Sequence, residues 1–241
     1  MSKYLIIFFG VYINMQQRYA MKSWKDFLQN IASLNLEKTL LVCDIDDTII
    51  CPKTWIGSTP WFDWQCDLLE KDKKSPYLIA KTFRKLILAL YKIYENIEMR
   101  LCEPEIASEN ILSQCDTIFL TARDSMTNDI TQKQLNSFVN WKKPKNMKDI
   151  SIGDMKFTNG IGYTSGKNKG ELLFNILKSL DQTYDTIIFV DDKINNIIAV
   201  ENVIGKQELI SFLYGNLSHT KKFNLISPDE LKAEYETLKI N

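Results

Sequence analysis

The sequence lacks the features by which several classes of protein are recognised. Lysine plus arginine and aspartate plus glutamate number 30 each, so the net charge is zero and no basic surface for nucleic acid is indicated. The five cysteines are odd in number and include no CxxC pair, which disfavours a disulfide framework and a zinc site. The single histidine, His219, stands apart from the acidic motifs described below, so histidine-based catalysis and a serine–histidine pair are not indicated.

A transmembrane segment is also not predicted. The apolar run that follows Lys3, residues 4–13, is too short to span a bilayer. It is long enough for the apolar region of a secretory signal with Ala20 before the cleavage point, although Arg18 stands where a small residue is wanted. Residues 1–20 are therefore either a signal peptide or an N-terminal extension that packs on the domain, and the protein is either exported or cytoplasmic.

Short apolar runs rich in β-branched residues predict the strands of the fold. Three of them read as buried strands and a fourth is a candidate: residues 39–43, 117–120, 186–190 and 208–214. Helical patterns lie between them, at residues 75–95, 127–141, 171–180 and 194–203. Strands that alternate with helices predict an α/β fold with an open, mainly parallel sheet flanked by helices.

Two further local signals refine this pattern. Ser75 and Pro76 have the character of an N-cap and a first helical residue, which predicts a helix that opens there. Asn159 and Gly160 lie between apolar residues and predict a β-hairpin within residues 150–164.

The most informative motif is acidic and directly follows the first strand. Asp44, Asp46 and Asp47 place three carboxylates within four residues, and these repel one another unless a cation or a substrate offsets their charge. A hard cation with oxygen ligands is the natural partner. An EF-hand loop fits poorly because Ile49 stands where that loop needs glycine. The alternative is an acidic turn that caps a helix.

A second acidic pair, Asp191 and Asp192, directly follows the third strand. In open α/β sheets ligands bind beyond the carboxyl ends of the strands, so this pair, Asp44 and Thr121 are expected at one edge. The two acidic clusters can then share one Mg²⁺, which takes one or two carboxylates, several waters and a phosphate oxygen.

Two further positions have the character of phosphate ligands. Lys169 lies at the start of a predicted helix, where its positive charge interacts unfavourably with the macrodipole. A nearby phosphate would compensate for this unfavourable interaction. A solvated surface lysine is the alternative, and Lys167 is the rival candidate. At the end of the second strand, the Thr121 hydroxyl and the following N–H groups, beginning with Ala122, can donate to phosphate oxygens, unless Thr121 only caps the next helix.

The order of these motifs resembles that of the haloacid-dehalogenase-like (HAD) superfamily. A strand that ends in DxDxT (LVCDIDDTI), a strand that ends in threonine, a lysine at a helix start and a strand that ends in Asp-Asp (IIFVDDKINN) follow one another within residues 39–196. The fragments FLTAR and NGIGYTSGKNKGELL also resemble an uncharacterised bacterial branch of this superfamily. The resemblance implies a Rossmann-like HAD core and a magnesium-dependent phosphatase that hydrolyses a small phosphorylated substrate.

The resemblance also implies roles for single residues. Asp44 would be the nucleophile and a metal ligand, and a carboxylate nucleophile splits hydrolysis into two steps through an aspartyl phosphate. Asp46 would act as the general acid and base, with its backbone carbonyl on the metal. Thr121, Ala122 and Lys169 would hold the phosphoryl oxygens.

The fourth motif leaves one choice open. Aligned on the family's usual VGDxxND pattern, Asp192 would be the direct metal ligand and Asp191 its neighbour, although the family usually has glycine where Asp191 stands. Asn196 would then orient the metal site from behind the ligands.

The resemblance further implies a division of residues 21–241. They would form one HAD-like domain with a small, mostly helical cap inserted at about residues 50–115. The aromatic side chains of this insertion either line a substrate pocket or form the cap's own core; they are Trp55, Trp61, Phe62 and Trp64.

Two alternatives to a phosphatase remain. One is a catalytically silent HAD-like module that binds a phosphorylated ligand or partner. The other is nucleic-acid end repair by the same chemistry, which the neutral net charge disfavours. The oligomeric state and the identity of the substrate are not predicted.

Overall fold

The computed structural model describes residues 16–204 and 208–215, together with Glu230 and Ala233. Most of the possible signal peptide, residues 1–15, lies outside the described residues, as does His219. None of the helices in the described ranges combines the length and the apolar character needed to cross a lipid bilayer.

The described ranges contain ten strands and eight α-helices. The strands are β1 (Gln16–Met21), β2 (Thr39–Cys43), β3 (Ile50–Pro52), β4 (Met99–Leu101), β5 (Asp116–Thr121), β6 (Ile150–Ile152), β7 (Met155–Thr158), β8 (Ile161–Tyr163), β9 (Thr186–Asp191) and β10 (Glu208–Tyr214). The helices are α1 (Trp24–Ile31), α2 (Thr59–Lys71), α3 (Phe83–Asn96), α4 (Glu105–Ser108), α5 (Ile111–Gln114), α6 (Asn128–Asn136), α7 (Lys169–Ser179) and α8 (Ile194–Glu201).

Eight of the strands form the central sheet, in the order β1-β10-β9-β2-β5-β8-β7-β6. The pairs from β1 to β8 are parallel, and only the β8–β7–β6 end is antiparallel. The fold is therefore an α/β fold with a mainly parallel sheet, as the alternation of strands and helices predicts.

Helices cover both faces of this sheet because alternate side chains of each strand point to opposite sides. Leu41 and Cys43 of β2 belong to a core that includes side chains of α1, α2 and α3. Leu40 and Val42 belong to a second core that includes side chains of α7 and α8. Since both faces of β2 are buried, its sequence is apolar throughout rather than alternating.

The four strands predicted from apolar runs are all present, and the observed ends differ from the predicted ones by at most one residue. The predicted hairpin is also confirmed, since β7 and β8 pair antiparallel around Asn159 and Gly160. Both turn residues have positive φ, 54° and 86°, as a two-residue hairpin turn requires.

The predicted helix start at Ser75 is wrong. The helix begins at Phe83, and the Thr82 side chain caps it by accepting a hydrogen bond from the Lys85 N–H at 3.3 Å. The preceding segment is held in a non-helical form by Gln65, whose amide donates to the Tyr77 carbonyl at 3.0 Å and whose oxygen accepts from the Ile79 N–H at 3.1 Å. A side chain distant in sequence thus overrides the local helix signal.

The helix predicted over residues 127–141 is also shorter than expected, since α6 ends at Asn136. The chain then turns, and Lys142 forms an isolated parallel bridge with Asp116 at the start of β5.

The segment between β2 and β5 adds structure beside the main sheet. Its strands β3 and β4 pair antiparallel as a separate two-stranded sheet, and α2 and α3 lie between them in the chain. Trp61 is fully buried in the core, whereas Trp55 and Trp64 are half-buried and pack on each other with ring centroids 5.0 Å apart. The insertion thus uses these three tryptophans as packing residues.

Close packing of α7 against α8 depends on a glycine at the second position of α7. A Cβ at Gly170 would lie 2.0 Å from the carbonyl oxygen of Ala199 and 2.7 Å from its carbonyl carbon, both backbone atoms of α8. Backbone cannot move aside as a flexible side chain can, so a larger residue forces the two helices apart.

We expect Gly170→Ala to lower the free energy of unfolding by about 2 kcal/mol or more, because overpacking against backbone strains the core. Urea denaturation followed by circular dichroism measures this change. Gly215→Ala is the matched control, since the nearest atom to its added Cβ, the Met21 carbonyl oxygen, is 3.7 Å away. Equal stability of the two variants would contradict the proposed contact.

Candidate functional site

The carboxyl ends of three adjacent parallel strands bring the predicted site residues together. Strand β2 lies between β9 and β5. Cys43 pairs with Val190 in register, and the Asp44 N–H donates to the Val190 carbonyl at 2.9 Å. Asp44 therefore follows the end of β2 at the same edge of the sheet as Asp191, the last residue of β9, and Thr121, the last residue of β5.

A tight turn follows Asp44 and fixes the direction of the acidic motif. The Ile45 carbonyl accepts from the N–H groups of Ile49 and Ile50 at 2.9 and 3.0 Å. Asp47 has a φ of 61°, in the left-handed region that aspartate tolerates better than most residues. Thr48 donates its hydroxyl to the Asp44 carboxylate at 3.4 Å.

Lys169 is the central cation of the site. Its ammonium lies 2.5 Å from Asp44 Oδ1 and 2.7 Å from Asp191 Oδ2, and all three side chains are buried. Burial lowers the pKa of Lys169, but the two carboxylates outweigh it and raise that pKa overall. Burial raises the pKa of Asp44 well above its usual range; Lys169 opposes this shift, and Asp191 adds to it.

The alternative lysine occupies a different environment. Lys167 pairs with Asp154 at 2.8 Å, and both side chains are largely exposed. Of the two lysines considered from the sequence, Lys169 is the one in contact with the motif residues Asp44 and Asp191.

Asp191 and Asp192 have different surroundings. The carboxylate of Asp191 accepts hydrogen bonds from Lys169, from the Lys193 N–H at 2.8 Å and from the Asn196 amide at 2.9 and 3.1 Å. Asp192 Oδ1 is buried without a hydrogen-bond partner among the described residues. Asp191 is thus satisfied by protein groups, and Asp192 has an oxygen to offer.

The three aspartates could hold a metal ion. One carboxylate oxygen each from Asp44, Asp191 and Asp192 lie within 4.8 Å of one another. Burial, and then the charge of Asp191, raises the pKa of Asp192 to about 7, although Lys193 and Lys169 act in the opposite direction. The unpaired buried oxygen and the all-carboxylate donor set fit a hard divalent cation such as Mg²⁺.

Asp46 forms a two-point ion pair that the sequence analysis did not predict. Arg123 Nη2 lies 2.7 Å from Asp46 Oδ1, and Arg123 Nε lies 3.0 Å from Oδ2. The guanidinium also donates to Thr131 at 3.0 Å and to Gln134 at 2.7 Å, and it stacks 4.4 Å above the ring of Tyr94. The one signal in the sequence that could have indicated this role of Arg123 is its position two residues after the end of β5, at the edge of the sheet where the site residues lie.

Thr121 and Ala122 differ in their access to the site. Thr121 is fully buried; its hydroxyl accepts from the Arg123 N–H at 3.1 Å and lies 3.4 Å from Asp46 Oδ2. Ala122 is exposed and lines the cavity described next. Thr121 therefore contacts the Asp46 carboxylate and the backbone of Arg123, whereas Ala122 forms part of the cavity surface.

A cavity of about 780 Å³ opens at this edge of the sheet. Its polar lining includes Asp44, Asp46, Lys169 and Asp192. Most of its apolar lining comes from α2 and α3 of the insertion, including Phe62, one of the aromatic residues singled out from the sequence. Polar groups that converge in one large cavity are typical of a small-molecule site.

Comparison with known proteins gives a family but no activity. The family model described as "Protein of unknown function (DUF2608)" matches residues 20–240, and the chain belongs to this family. No curated protein matches the sequence. Among solved structures, a hydrolase described as a haloacid dehalogenase-like family protein from Streptococcus pneumoniae is similar at 16% identity and a TM-score of 0.40, covering 77% of this chain and 98% of that one.

We expect Mg²⁺ to stabilise the protein through Asp192. At a Mg²⁺ concentration one hundred times the dissociation constant, binding adds about 2.7 kcal/mol, which raises the melting temperature by roughly 5–10 °C for a chain of this size. Asp192→Asn replaces one carboxylate oxygen by an amide nitrogen and removes the negative charge that attracts the cation, so the rise in melting temperature should largely disappear. Differential scanning fluorimetry with Mg²⁺ and with EDTA measures this rise in melting temperature.

Asp67→Asn is the control, because Asp67 is exposed and pairs with Lys71 on the surface of α2. The rise in its melting temperature with Mg²⁺ should equal that of the wild type. In EDTA at pH 8, Asp192→Asn should melt higher than the wild type. Because the pKa of the Asp192 carboxyl is raised to about 7 in the folded state, ionising it lowers the stability of the wild-type protein as the pH rises from about 4 to 7. The asparagine side chain of the variant does not ionise, so the variant avoids this loss. An undiminished Mg²⁺ effect in Asp192→Asn would count against this site.

Proposed function

We propose that the protein is a magnesium-dependent phosphatase of the HAD type, which hydrolyses a phosphomonoester through an aspartyl phosphate on Asp44. One observation carries the proposal. Asp44 is paired with a buried lysine, has a carboxylate oxygen within 4.8 Å of one from Asp192, and lines the same cavity as a second carboxylate, Asp46. A cluster that served only to bind an anion would not need three carboxylates in its lining.

Asp44 is suited to attack phosphorus. Lys169 binds one of its oxygens, and the ordered turn that follows fixes its direction. In the first step an Asp44 oxygen forms a bond to phosphorus while the bond from phosphorus to the alcohol oxygen breaks. The alcohol leaves with a proton from Asp46, and the acyl phosphate remains on Asp44.

The second step returns the enzyme to its initial state. Asp46 takes a proton from a water molecule, whose oxygen attacks the same phosphorus. The bond between phosphorus and Asp44 breaks, and inorganic phosphate is released. Asp46 thus acts first as an acid and then as a base, and its contact with Arg123 keeps the carboxyl group at the cavity.

The negative charge of the phosphoryl group needs compensation in both steps. Lys169 supplies one positive charge, and Ala122, which lines the cavity just after β5, would donate its backbone N–H to a phosphoryl oxygen. Asp44, Asp192 and the carbonyl of Asp46 would hold Mg²⁺. This ion, when bound, neutralises phosphoryl charge and orients the phosphoryl group.

Asp191 and Asn196 have a positioning role in this proposal. Asp191 is bonded to Lys169 and Asn196, so its carboxylate aligns the lysine and is itself aligned by the amide. In this proposal Asp192 would be the direct metal ligand of the pair, which is the choice that alignment with the HAD superfamily's motif favours.

We expect Asp44→Asn to lower the release of inorganic phosphate from 4-nitrophenyl phosphate with Mg²⁺ by roughly 10⁴-fold or more, because an amide oxygen is a poor nucleophile. The fold should be retained, since Asp191 still pairs with Lys169. Asp67→Asn should keep wild-type activity. Wild-type turnover in Asp44→Asn would exclude this nucleophile, and tight phosphate-ester binding without turnover in the wild type would favour a silent binding module.

Asp46→Asn separates the two steps. Without the general base, the aspartyl phosphate accumulates, whereas 4-nitrophenolate leaves without needing a proton. We therefore expect a rapid burst of about one nitrophenolate per enzyme, followed by turnover slowed roughly 10²–10⁴-fold. Stopped-flow absorbance measures the burst. A burst-free, fully active Asp46→Asn enzyme would contradict the role of Asp46 as acid and base.

A further inference from the structure

One part of the cavity wall has no task in phosphoryl transfer. It is apolar and aromatic, and its residues belong to α2 and α3: Phe62, Phe83, Ile87, Leu90, Tyr91 and Tyr94. It shares one continuous cavity with Asp44 and Lys169. Whatever alcohol is joined to a phosphate bound at Asp44 therefore lies within reach of this wall.

The cavity is much larger than a phosphate group needs. Its volume of about 780 Å³ lies within the range of about 300–1,000 Å³ that is typical of small-molecule sites. A phosphoryl group at Asp44 would leave most of this space for the alcohol. The chemistry of the remaining lining then selects the substrate.

Phe83, the first residue of α3, is the most exposed aromatic side chain of this wall, at 57% exposure. Its ring lies 6.3 Å from that of Phe62 at an angle of 64°, an edge-to-face pair. Both residues line the cavity, and a third aromatic ring can pack against such a pair in the same manner. The exposed ring of Phe83 and the half-buried ring of Phe62 are apolar area that a ligand would bury.

The hydroxyl of Tyr91 distinguishes an aromatic ligand from an alkyl one. It is buried and has no hydrogen-bond partner within the part of the chain that the structure describes. An alkyl chain packed there would leave the hydroxyl unpaired, which is unfavourable. The electron-rich face of an aromatic ring attracts a hydroxyl proton and would relieve this cost.

From these contacts we propose that the substrate is a phosphomonoester whose alcohol carries an aromatic ring, and that this ring binds against Phe62, Phe83 and Tyr91. The inference rests on the proposed function for the phosphoryl end of the substrate. The side chains of α2 and α3 thus select the alcohol, while the edge of the main sheet performs the reaction.

The test compares three phosphates of primary alcohols, so that differences in leaving-group reactivity stay small: benzyl phosphate, hexyl phosphate and 3-hydroxypropyl phosphate. We expect kcat/KM for benzyl phosphate to exceed that for 3-hydroxypropyl phosphate at least tenfold, since an apolar pocket discriminates by roughly this factor or more. It should also exceed that for hexyl phosphate. Equal or higher values for hexyl phosphate would overturn the preference for an aromatic ring.

Two variants on α3 test the location. Phe83→Ala removes part of the aromatic wall, and its exposed position makes loss of the fold an unexpected outcome; the benzyl preference should fall at least threefold. Leu88→Ala is the matched control, because Leu88 is 41% exposed on the same helix and does not line the cavity. An unchanged preference in Phe83→Ala, or an equal fall in Leu88→Ala, would overturn the assignment.

A binding measurement separates this inference from the proposed function. Isothermal titration of Asp44→Asn with benzyl phosphate and with 3-hydroxypropyl phosphate, in Mg²⁺, reports recognition without turnover. We expect benzyl phosphate to bind at least tenfold more tightly. Failure of turnover in the wild type with this binding preference intact would contradict only the phosphatase, whereas turnover without any preference would contradict only the aromatic alcohol.

Discussion

The structure depends on one buried ammonium between carboxylates. Lys169 contacts Asp44 and Asp191 where all three are shielded from water, and burial of any one of them alone would be strongly unfavourable. Asp192 adds a third negative charge that the lysine does not neutralise. One ammonium and one divalent cation together would balance three carboxylates, so the charge count of the protein groups leads to the metal proposed for this edge.

Much of the fold and of the site could be predicted because both follow from local chemistry. The apolar runs of β2, β5, β9 and β10 give the central strands, since a strand buried on both faces has no polar alternation to obscure it. The rule for strand ends then brings Asp44, Thr121 and Asp191 to one edge without any knowledge of distances. The macrodipole argument likewise selected Lys169, which the structure places beside both carboxylates.

What could not be predicted depends on contacts between residues far apart in sequence. The start of α3 is decided by Gln65, whose side chain bonds the backbone before Thr82 and so prevents a helix at Ser75. The pairing of Asp46 with Arg123 joins two strand ends, and nothing in either segment alone reveals it. The difference in hydrogen bonding between Asp191 and Asp192 also depends on the tertiary structure, because Lys169 and Asn196 contact the carboxylate of Asp191.

The edge strand β1 has a consequence for how the molecule is made. It pairs in parallel with β10, so that Gln16 lies opposite Leu209. On the ribosome, β1 must wait for nearly all of the described chain to be synthesised before its partner emerges. The pairing closes a very long loop, which is typical of slow, late folding steps. Until then one border of the nascent sheet has open hydrogen-bonding groups, a stage at which a chaperone would protect the chain.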